Sequence, residues 1–332
     1  MLEHGGDLAR ASWEYGIPAE RWLDLSTGIN PLGYPVPPVP PKAWLRLPGD
    51  AEPLLRAARE CYQAMELLPV AGTQAAIQAL PRLRPHSRVT LAALTYNEYA
   101  HAWRRQGHAV QAVPPREFDA RLAETDVLVV CNPNNPTGER IEPDCLLEWH
   151  ATLAARDGWL IVDEAYIDVV PEASLTLFAS RPGLIVLRSL GKFFGLAGAR
   201  IGFVFAGCAL LHALQDELGP WTVAGPAQFA ASTALRDRDW QAQTRAALIA
   251  SGRRLHALLA CAGVAAQGTA LFQWWQHEHA AELHRALARR AILTRSIQDG
   301  DSGGIRIGLP REEADWRRLE QALVLWKEMQ CA

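Results

Sequence analysis

The chain alternates between helix-forming stretches and short, almost wholly apolar runs, and this alternation restricts the folds open to it. The apolar runs are short enough for single strands and lie at 89–91, 110–113, 127–130, 160–162, 184–187 and 201–205. Strands that are apolar on both faces are typical of a buried, mostly parallel sheet. Helical patterns separate these runs, at 52–65, 74–80, 98–106 and 144–155. We therefore expect an α/β fold in which helices flank a mixed, mostly parallel sheet.

The pattern changes on either side of this region. The proline-rich segment 35–41 cannot form regular helix or central strand, which predicts an extended connector. After Pro226 the pattern indicates a helix, two strands and a helix, at 227–261, 272–275, 304–308 and 311–329. The expected domains are a leader with its connector, a large domain and a smaller α+β domain, at 1–41, 42–225 and 226–332.

Composition excludes several classes of protein. Of the 332 residues, 49% are hydrophobic and the formal net charge is −3, so a large core is expected and a nucleic-acid-binding surface is not. No apolar stretch is long enough to span a bilayer, and the first residues lack the basic and apolar segments of a signal peptide. The six cysteines are scattered without a Cys-x-x-Cys pair. This predicts free thiols in a reducing cytoplasm and no metal site.

Lys192 is the residue that points most directly to chemistry. The apolar run that ends at Leu187 delivers it into a loop of small residues, with Ser189 three positions before it and Arg200 eight positions after it. Small neighbours allow a flat ring to approach, while a serine and an arginine can hold a phosphate. A lysine that forms a Schiff base with a cofactor aldehyde needs this setting, whereas a surface lysine does not.

Three further segments belong with the lysine, because ligands of α/β sheets bind at the carboxyl ends of strands. Residues 71–74, Ala-Gly-Thr-Gln, can offer backbone N–H groups to a phosphate at a helix start. Residues 131–138, Cys-Asn-Pro-Asn-Asn-Pro-Thr-Gly, form a rigid turn that aims Asn135. Asp163 ends an apolar strand, and Tyr166 follows three residues later. Each segment alone has an ordinary explanation as a cap or turn, but four at one sheet edge favour a binding site.

Together these motifs resemble the fold-type I pyridoxal phosphate (PLP) enzymes of the aminotransferase class I/II family, over nearly the whole chain. The resemblance implies PLP bound through Lys192 in the large domain, with Asp163 paired to the pyridine nitrogen. It implies that Asn135 and Tyr166 hydrogen-bond the ring oxygen and that Tyr96 stacks on the ring. Lys192, Asp163 and Tyr166 are then the catalytic residues. The expected phosphate ligands are Gly72, Thr73, Gln74, Ser189 and Arg200.

Two further features narrow the resemblance to a subfamily. A His-Gly-Gly sequence opens the chain at 4–6, and Ser-Thr-Gly-Ile-Asn-Pro-Leu-Gly follows at 26–33. This pairing resembles the L-threonine-O-3-phosphate decarboxylases of cobalamin biosynthesis, whose leader helps close the substrate site. Arg306 lies at the family position for the substrate carboxylate; Arg295 is the candidate for the substrate phosphate, with a solvated helix-end arginine as the alternative. The expected substrate-binding residues are His4, Gly5, Gly6, Thr27, Gly28, Asn135, Arg295 and Arg306.

The resemblance implies decarboxylation of L-threonine O-3-phosphate to (R)-1-amino-2-propanol O-2-phosphate by a cytoplasmic homodimer, without nucleic-acid or membrane partners. The bond that breaks is the one held perpendicular to the cofactor ring, and a misplacement of about 1 Å can cost about a hundredfold in rate. A histidinol-phosphate-type aminotransferase therefore stays open as the alternative. A non-catalytic binding protein is the third hypothesis, disfavoured because Lys192, Asp163 and Arg200 are all present.

Two positions depart from the family pattern. Relatives carry a Tyr-Pro whose tyrosine reaches the neighbouring subunit's cofactor phosphate, whereas here Leu47 precedes Pro48. Such a hydrogen bond is worth ~1 kcal/mol. Gly191 stands where serine or threonine is common before the lysine, which removes a phosphate hydroxyl and loosens the loop. Together these changes predict weaker retention of the cofactor.

Overall fold

The computed structural model describes residues 4–49, 51–299 and 302–331. Within these ranges the helices α1 to α12 are Leu8–Tyr15, Pro41–Leu45, Glu52–Tyr62, Thr73–Ala79, Glu98–Arg105, Phe118–Arg121, Pro143–Ala154, Cys208–Leu218, Gly225–Arg236, Arg238–Cys261, Ala280–Ala288 and Glu313–Cys331. The strands β1 to β13 are Leu23–Asp24, Leu67–Val70, Arg88–Ala92, Ala109–Val113, Val127–Cys131, Trp159–Asp163, Leu184–Ser189, Gly202–Phe205, Gln267–Gly268, Phe272–Gln276, Ile292–Leu293, Arg295–Asp299 and Ser302–Gly308. None of the described helices is both long and apolar enough to cross a membrane.

The chain divides into two compact units. We call them the terminal unit, made of residues 1–32, 136–138 and 244–332, and the central unit, made of residues 33–135 and 139–243. The three domains expected from the sequence, 1–41, 42–225 and 226–332, stay a prediction.

The central unit is built on a seven-stranded sheet with the order β2-β8-β7-β6-β5-β3-β4. Strands β3 to β7 pair in parallel, whereas β8 is antiparallel to both of its neighbours. All residues of β5 and β7 are buried, as their apolar sequences predict. The predicted fold class, a mixed and mostly parallel sheet flanked by helices, is confirmed.

The reversed strand β8 brings distant turns to one edge of this sheet. Its first residue, Gly202, is the register partner of both Ser189, which ends β7, and Val70, which ends β2. The turns after β2 and β7 and the turn before β8 therefore leave the sheet side by side. Lys192 and Arg200 lie in the connection from β7 to β8.

The single helix predicted over 227–261 is wrong, because α9 and α10 are separate helices. Asp237 lies between them with a non-helical backbone, and its carboxylate accepts the backbone N–H of Trp240 at 3.0 Å. This is an N-cap, which starts α10 as a separate helix. The Trp240 ring stacks on Phe194 with centroids 5.7 Å apart, so the start of α10 supports the loop that carries Lys192.

The terminal unit contains a four-stranded antiparallel sheet with the order β12-β13-β10-β9. Arg295 on β12 is the register partner of Arg306 on β13. Partners in register point to the same face of a sheet, so the two arginines share a face. Because Arg295 lies in a strand, its alternative interpretation as a helix-end arginine is wrong.

Candidate active site

One pocket of the central unit lies at the sheet edge where these turns meet. Its lining includes all ten residues that the sequence predicts to bind the cofactor, Gly72, Thr73, Gln74, Tyr96, Asn135, Asp163, Tyr166, Ser189, Lys192 and Arg200. They lie at or just after the carboxyl ends of β2, β3, β5, β6 and β7, or just before β8. The structure thus brings the predicted residues into one pocket, while their individual roles stay predictions.

One end of the pocket is suited to bind an anion. Gly72 has φ +73°, and a Cβ there would lie 2.7 Å from a terminal nitrogen of Arg200, so glycine allows the guanidinium to approach the start of α4. Arg200 itself has φ +51°, a backbone conformation that costs about 1–3 kcal/mol outside glycine. The Ser189 hydroxyl accepts the backbone N–H of Gly191 at 3.2 Å and faces the same end. Cation, hydroxyl and helix-start N–H groups together suit a phosphate.

The other end contains a buried carboxylate. Asp163 accepts the backbone N–H of Ala165 on Oδ1 at 3.0 Å and the phenol of Tyr99 on Oδ2 at 2.9 Å. Burial raises the pKa of Asp163, while these two hydrogen bonds and the charge of Lys192 act in the opposite direction. The carboxylate is therefore held in one orientation at the pocket wall.

Lys192 enters the pocket from a firmly anchored loop. Its Nζ lies 5.7 Å from the centroid of the Tyr166 ring. The carbonyl of Lys192 accepts the N–H of Gly195 at 3.1 Å, and the carbonyl of Phe194 accepts the N–H of Tyr34 at 2.8 Å. These bonds hold the backbone of Lys192 and of the residues that follow it, so the amine projects from an anchored loop.

The aromatic wall of the pocket is connected to its anion end. Tyr96 donates its phenol to Oε1 of Gln74 at 3.2 Å, and the amide nitrogen of Gln74 donates to the buried Glu98 at 2.7 Å. Burial, followed by the Glu98 charge, raises the pKa of Tyr96, so the phenol stays protonated. The ring is thereby held across the start of α4.

The turn that carries Asn135 is pinned by its neighbours. The Asn132 side chain donates to the carbonyl of Ile141 and accepts its N–H, both at 2.9 Å. Asn134 donates to the carbonyl of Leu94 at 2.9 Å. These bonds hold the backbone on the inner side of the turn and leave Asn135 on the pocket lining.

The predicted substrate residues of the terminal unit also converge. Gly6 donates its N–H to the Ser26 hydroxyl at 2.7 Å, and a Cβ on Gly5 would lie 2.5 Å from the Ser26 carbonyl oxygen. Gly6 has φ +86°. The two glycines of the His-Gly-Gly sequence are therefore required for close packing on the 24–28 segment, which includes Thr27 and the buried Gly28.

Arg306 is bracketed by two glycines of its own strand. A Cβ on Gly308 would lie 2.2 Å from the carbonyl oxygen of Thr27, and a Cβ on Gly304 would lie 2.0 Å from the indole of Trp274. The guanidinium donates to the Ser26 carbonyl at 2.7 Å. On the neighbouring strand, Arg295 donates to the carbonyl of His4 at 3.3 Å. The leader and both arginines thus form one cationic cluster, whereas Asn135 belongs to the central unit.

Three residues that lie next to site residues were not predicted from the sequence. Tyr99 lies in the first turn of the expected helix 98–106, three positions after Tyr96, and this closeness to a predicted cofactor residue could have indicated it. Arg188 is a charged residue inside an apolar strand, which is a signal of a buried ion pair. Trp274 alternates with Phe272 and lies on the face of Arg306, but nothing local indicates this register.

Comparison with known proteins identifies the family. The model for aminotransferase class I and II matches residues 55–322. The chain belongs to this family. A threonine-phosphate decarboxylase of Pseudomonas aeruginosa is 52% identical over 99% of both chains, and one of a Sinorhizobium species is 44% identical over 97% of both. A histidinol-phosphate aminotransferase of Sinorhizobium meliloti, solved with pyridoxal-5'-phosphate, has 18% identity and a TM-score of 0.79 over 99% of each chain. The predicted family, fold and PLP-dependent enzyme class are confirmed.

The residues present fit PLP. An amine on Lys192 suits the aldehyde, and the buried carboxylate of Asp163 suits a protonated pyridine nitrogen. The close approach of Arg200 to Gly72, which a Cβ would block, suits the phosphate. The enzyme thus has a matching group for the aldehyde, the ring nitrogen and the phosphate of its cofactor.

Proposed function

We propose that this enzyme decarboxylates L-threonine O-3-phosphate to (R)-1-amino-2-propanol O-2-phosphate. The observation that carries the proposal is 52% identity, over 99% of both chains, to a protein named threonine-phosphate decarboxylase. A second relative of the same name, 44% identical over 97% of both chains, supports it. The similarity to a histidinol-phosphate aminotransferase at 18% identity bears on the fold alone.

PLP supplies the electron sink for the carbanion that forms when a bond to Cα breaks. In the proposed site Lys192 is the attachment residue, and Asp163 keeps a negative charge next to the ring nitrogen. Asn135 and Tyr166 orient the ring through its oxygen, and Tyr96 excludes water from one face. Phosphate binding is proposed for Gly72, Thr73, Gln74, Ser189 and Arg200.

Substrate recognition is proposed for the cationic cluster of the terminal unit. Arg306 binds the carboxylate and Arg295 the phosphate of the substrate, because a doubly anionic substrate needs about two such cations. The cross-strand position of the two arginines and the contacts of both with the leader support this assignment. His4, Gly5, Gly6, Thr27, Gly28 and Asn135 complete the proposed substrate site.

The proposed reaction breaks the bond between Cα and the carboxylate. Carbon dioxide leaves without the electron pair of the broken bond, and a proton takes its place on Cα. Lys192 or a water molecule delivers that proton. Arg306 decides the outcome by holding the carboxylate in the orientation in which this bond, rather than the Cα–H bond, is labile.

We propose a homodimer in the cytoplasm that acts in cobalamin biosynthesis. Large apolar side chains of the central unit, Trp44, Leu45 and Leu47, are 68%, 83% and 68% exposed. Contiguous exposed apolar groups are typical of interaction surfaces, so this segment supports self-association. Light scattering of Leu45→Arg against the unaltered protein tests it, and a monomeric unaltered protein would contradict it.

A direct assay tests the reaction. The enzyme with PLP and L-threonine O-3-phosphate, without any keto acid, is expected to release carbon dioxide and to form a product whose mass is that of the amino alcohol phosphate. A parallel incubation with histidinol phosphate and 2-oxoglutarate tests the aminotransferase alternative. Keto-acid-dependent amino transfer without carbon dioxide release would overturn the proposal.

The attachment site can be mapped without measuring activity. The chain has three lysines, Lys42, Lys192 and Lys327. Borohydride reduction of the enzyme with PLP is expected to label the peptide that contains Lys192. Lys42→Ala is the matched control and should keep the label, whereas Lys192→Ala should lose it together with the visible absorbance band. A protein that leaves the absorbance spectrum of added PLP unchanged would favour the non-catalytic hypothesis.

A further inference from the structure

Tyr99 occupies a position that the proposed chemistry has not yet used. It lies on α5, its side chain is fully buried, and its phenol donates to Oδ2 of Asp163 at 2.9 Å. Its ring packs edge-on against Tyr96, with centroids 6.3 Å apart. Tyr96, just before α5, thus lines the pocket, while Tyr99, in the first turn of α5, bonds the carboxylate of Asp163.

The two hydrogen bonds to Asp163 act on different oxygens. Ala165 donates a backbone N–H to Oδ1 at 3.0 Å, and this bond comes from the backbone of the turn that follows β6. Among the described residues, the side chain seen to donate to Oδ2 of Asp163 is that of Tyr99. With both oxygens anchored, the carboxylate plane cannot rotate, and each oxygen keeps a lone pair for a further donor.

The phenol is also suited to remain a donor at all working pH values. Burial, and then the facing Asp163, raises the pKa of Tyr99 well above its ordinary value. The other titratable groups near Asp163 are Lys192, Tyr96 and Cys131. Of these, Lys192 alone brings a positive charge, and it is the residue consumed by attachment of the cofactor.

We propose that Tyr99 is a positioning residue that acts through Asp163, holding this carboxylate charged and oriented toward the cofactor's ring nitrogen. The inference rests on the proposed function, because it assigns Asp163 to the pyridine nitrogen. When Lys192 is bound to the cofactor, the Tyr99 hydroxyl and the Ala165 N–H are the remaining protein donors seen on the carboxylate. Without the hydroxyl, a buried carboxyl group takes up a proton more readily and loses its hold on the ring.

The test removes the hydroxyl of Tyr99 and keeps its ring. Tyr99→Phe is expected to weaken PLP binding about ten- to a hundredfold, the usual contribution of a hydrogen bond to a charged group. The visible absorbance of the bound cofactor should change at a higher pH than in the unaltered enzyme, because the ring is less electron-poor. Both quantities are measured by spectroscopic titration and need no substrate.

Tyr62→Phe is the matched control. Tyr62 is also fully buried in the central unit, but its hydroxyl has no hydrogen-bond partner among the described residues. This variant removes the same atom from a comparable environment and should leave PLP affinity and the absorbance titration unchanged. In an Asp163→Asn background, Tyr99→Phe should weaken PLP binding much less than in the unaltered protein, because the carboxylate charge that the Tyr99 hydroxyl stabilises is absent.

The possible results distinguish a failure of the proposed function from a failure of the inference about Tyr99. If the unaltered protein binds no PLP, the proposed function fails and the role of Tyr99 fails with it. If the unaltered protein binds PLP and Tyr99→Phe behaves like Tyr62→Phe, only the inference about Tyr99 is overturned. A Tyr99→Phe chain that fails to fold while Tyr62→Phe folds also overturns it, because the hydroxyl then serves the fold.

Discussion

Replacing Arg188 by leucine tests how much a buried ion network stabilises the central unit. The side chains of Arg188, Glu164 and Asp168 are 2%, 0% and 5% exposed, and the guanidinium contacts both carboxylates. It also lies 4.5 Å from the centroid of the Tyr62 ring. Removing one partner of a buried pair typically costs about 3–5 kcal/mol, since an uncompensated charge remains.

The structure refines this magnitude. Glu164 keeps two donors without Arg188, the N–H of Leu175 at 2.7 Å and the hydroxyl of Ser174 at 2.5 Å. Asp168 loses a charged partner outright. We therefore expect a loss near the middle of the range, about 4 kcal/mol, which lowers the melting temperature of a unit of 150–250 residues by about 8–16 °C.

The assay is thermal unfolding at several pH values. Burial already raises the pKa of Glu164 in the intact protein, and loss of the guanidinium raises it further. A carboxyl group whose folded-state pKa is raised binds protons more tightly when folded, so the stability deficit should be largest at neutral pH and shrink as the pH falls toward 5.

Arg254→Leu is the control for this prediction. Arg254 forms the same kind of ion pair with Glu313, at 2.7 Å, but the two side chains are 46% and 56% exposed. Exposed pairs contribute little to stability, so the control should unfold close to the unaltered protein. A deficit for Arg188→Leu no larger than that of Arg254→Leu, or one that does not change with pH, would refute the reasoning.

Four glycine or loop substitutions give further expected outcomes. Gly304→Ala places a Cβ 2.0 Å from the indole of Trp274 and should lower stability by about 1–3 kcal/mol or more, measured by urea unfolding, with a raised KM for the substrate. Gly72→Ala should weaken PLP binding, measured by titration. Gly107→Ala is its control, because Gly107 has φ +82° but open space around it: this variant should lower stability and leave PLP binding unchanged. Leu47→Tyr should tighten PLP binding about fivefold if the missing cross-subunit hydrogen bond is restored, and unchanged affinity would contradict this.

The parts of the fold that the sequence predicts well are those decided by local patterns. Strands such as β5 and β7 are buried on both faces and therefore read as continuous apolar runs. The pocket residues follow from them, because the carboxyl ends of parallel strands meet at one edge. Short strands with mixed patterns are different: β2 contains Pro69 and was not predicted, although it borders the anion end of the pocket.

What the sequence did not predict depends on contacts between distant residues. The break between α9 and α10 requires the Asp237 side chain to cap the second helix, and this carboxylate also accepts the phenol of Tyr34 at 3.2 Å. The hydrogen bond from Tyr99 to Asp163 joins residues separated by 64 positions. No periodicity along the chain encodes such pairs, since they arise only when the elements pack.

The direction of β8 can nevertheless be argued from the proposed chemistry. Lys192 and Arg200 must both serve one pocket, and the chain leaves the sheet at that edge after Ser189. A parallel β8 would have to begin at the opposite end of the strands. To reach it, the chain would need a crossover of a dozen or more residues, usually a helix. Arg200, just before β8, would then lie at that far end of the strands, about 13 Å from the pocket for a strand of four residues. The segment between β7 and β8 contains no α-helix. A lysine and an arginine eight positions apart, both required at one edge, therefore demand that the next strand run backwards.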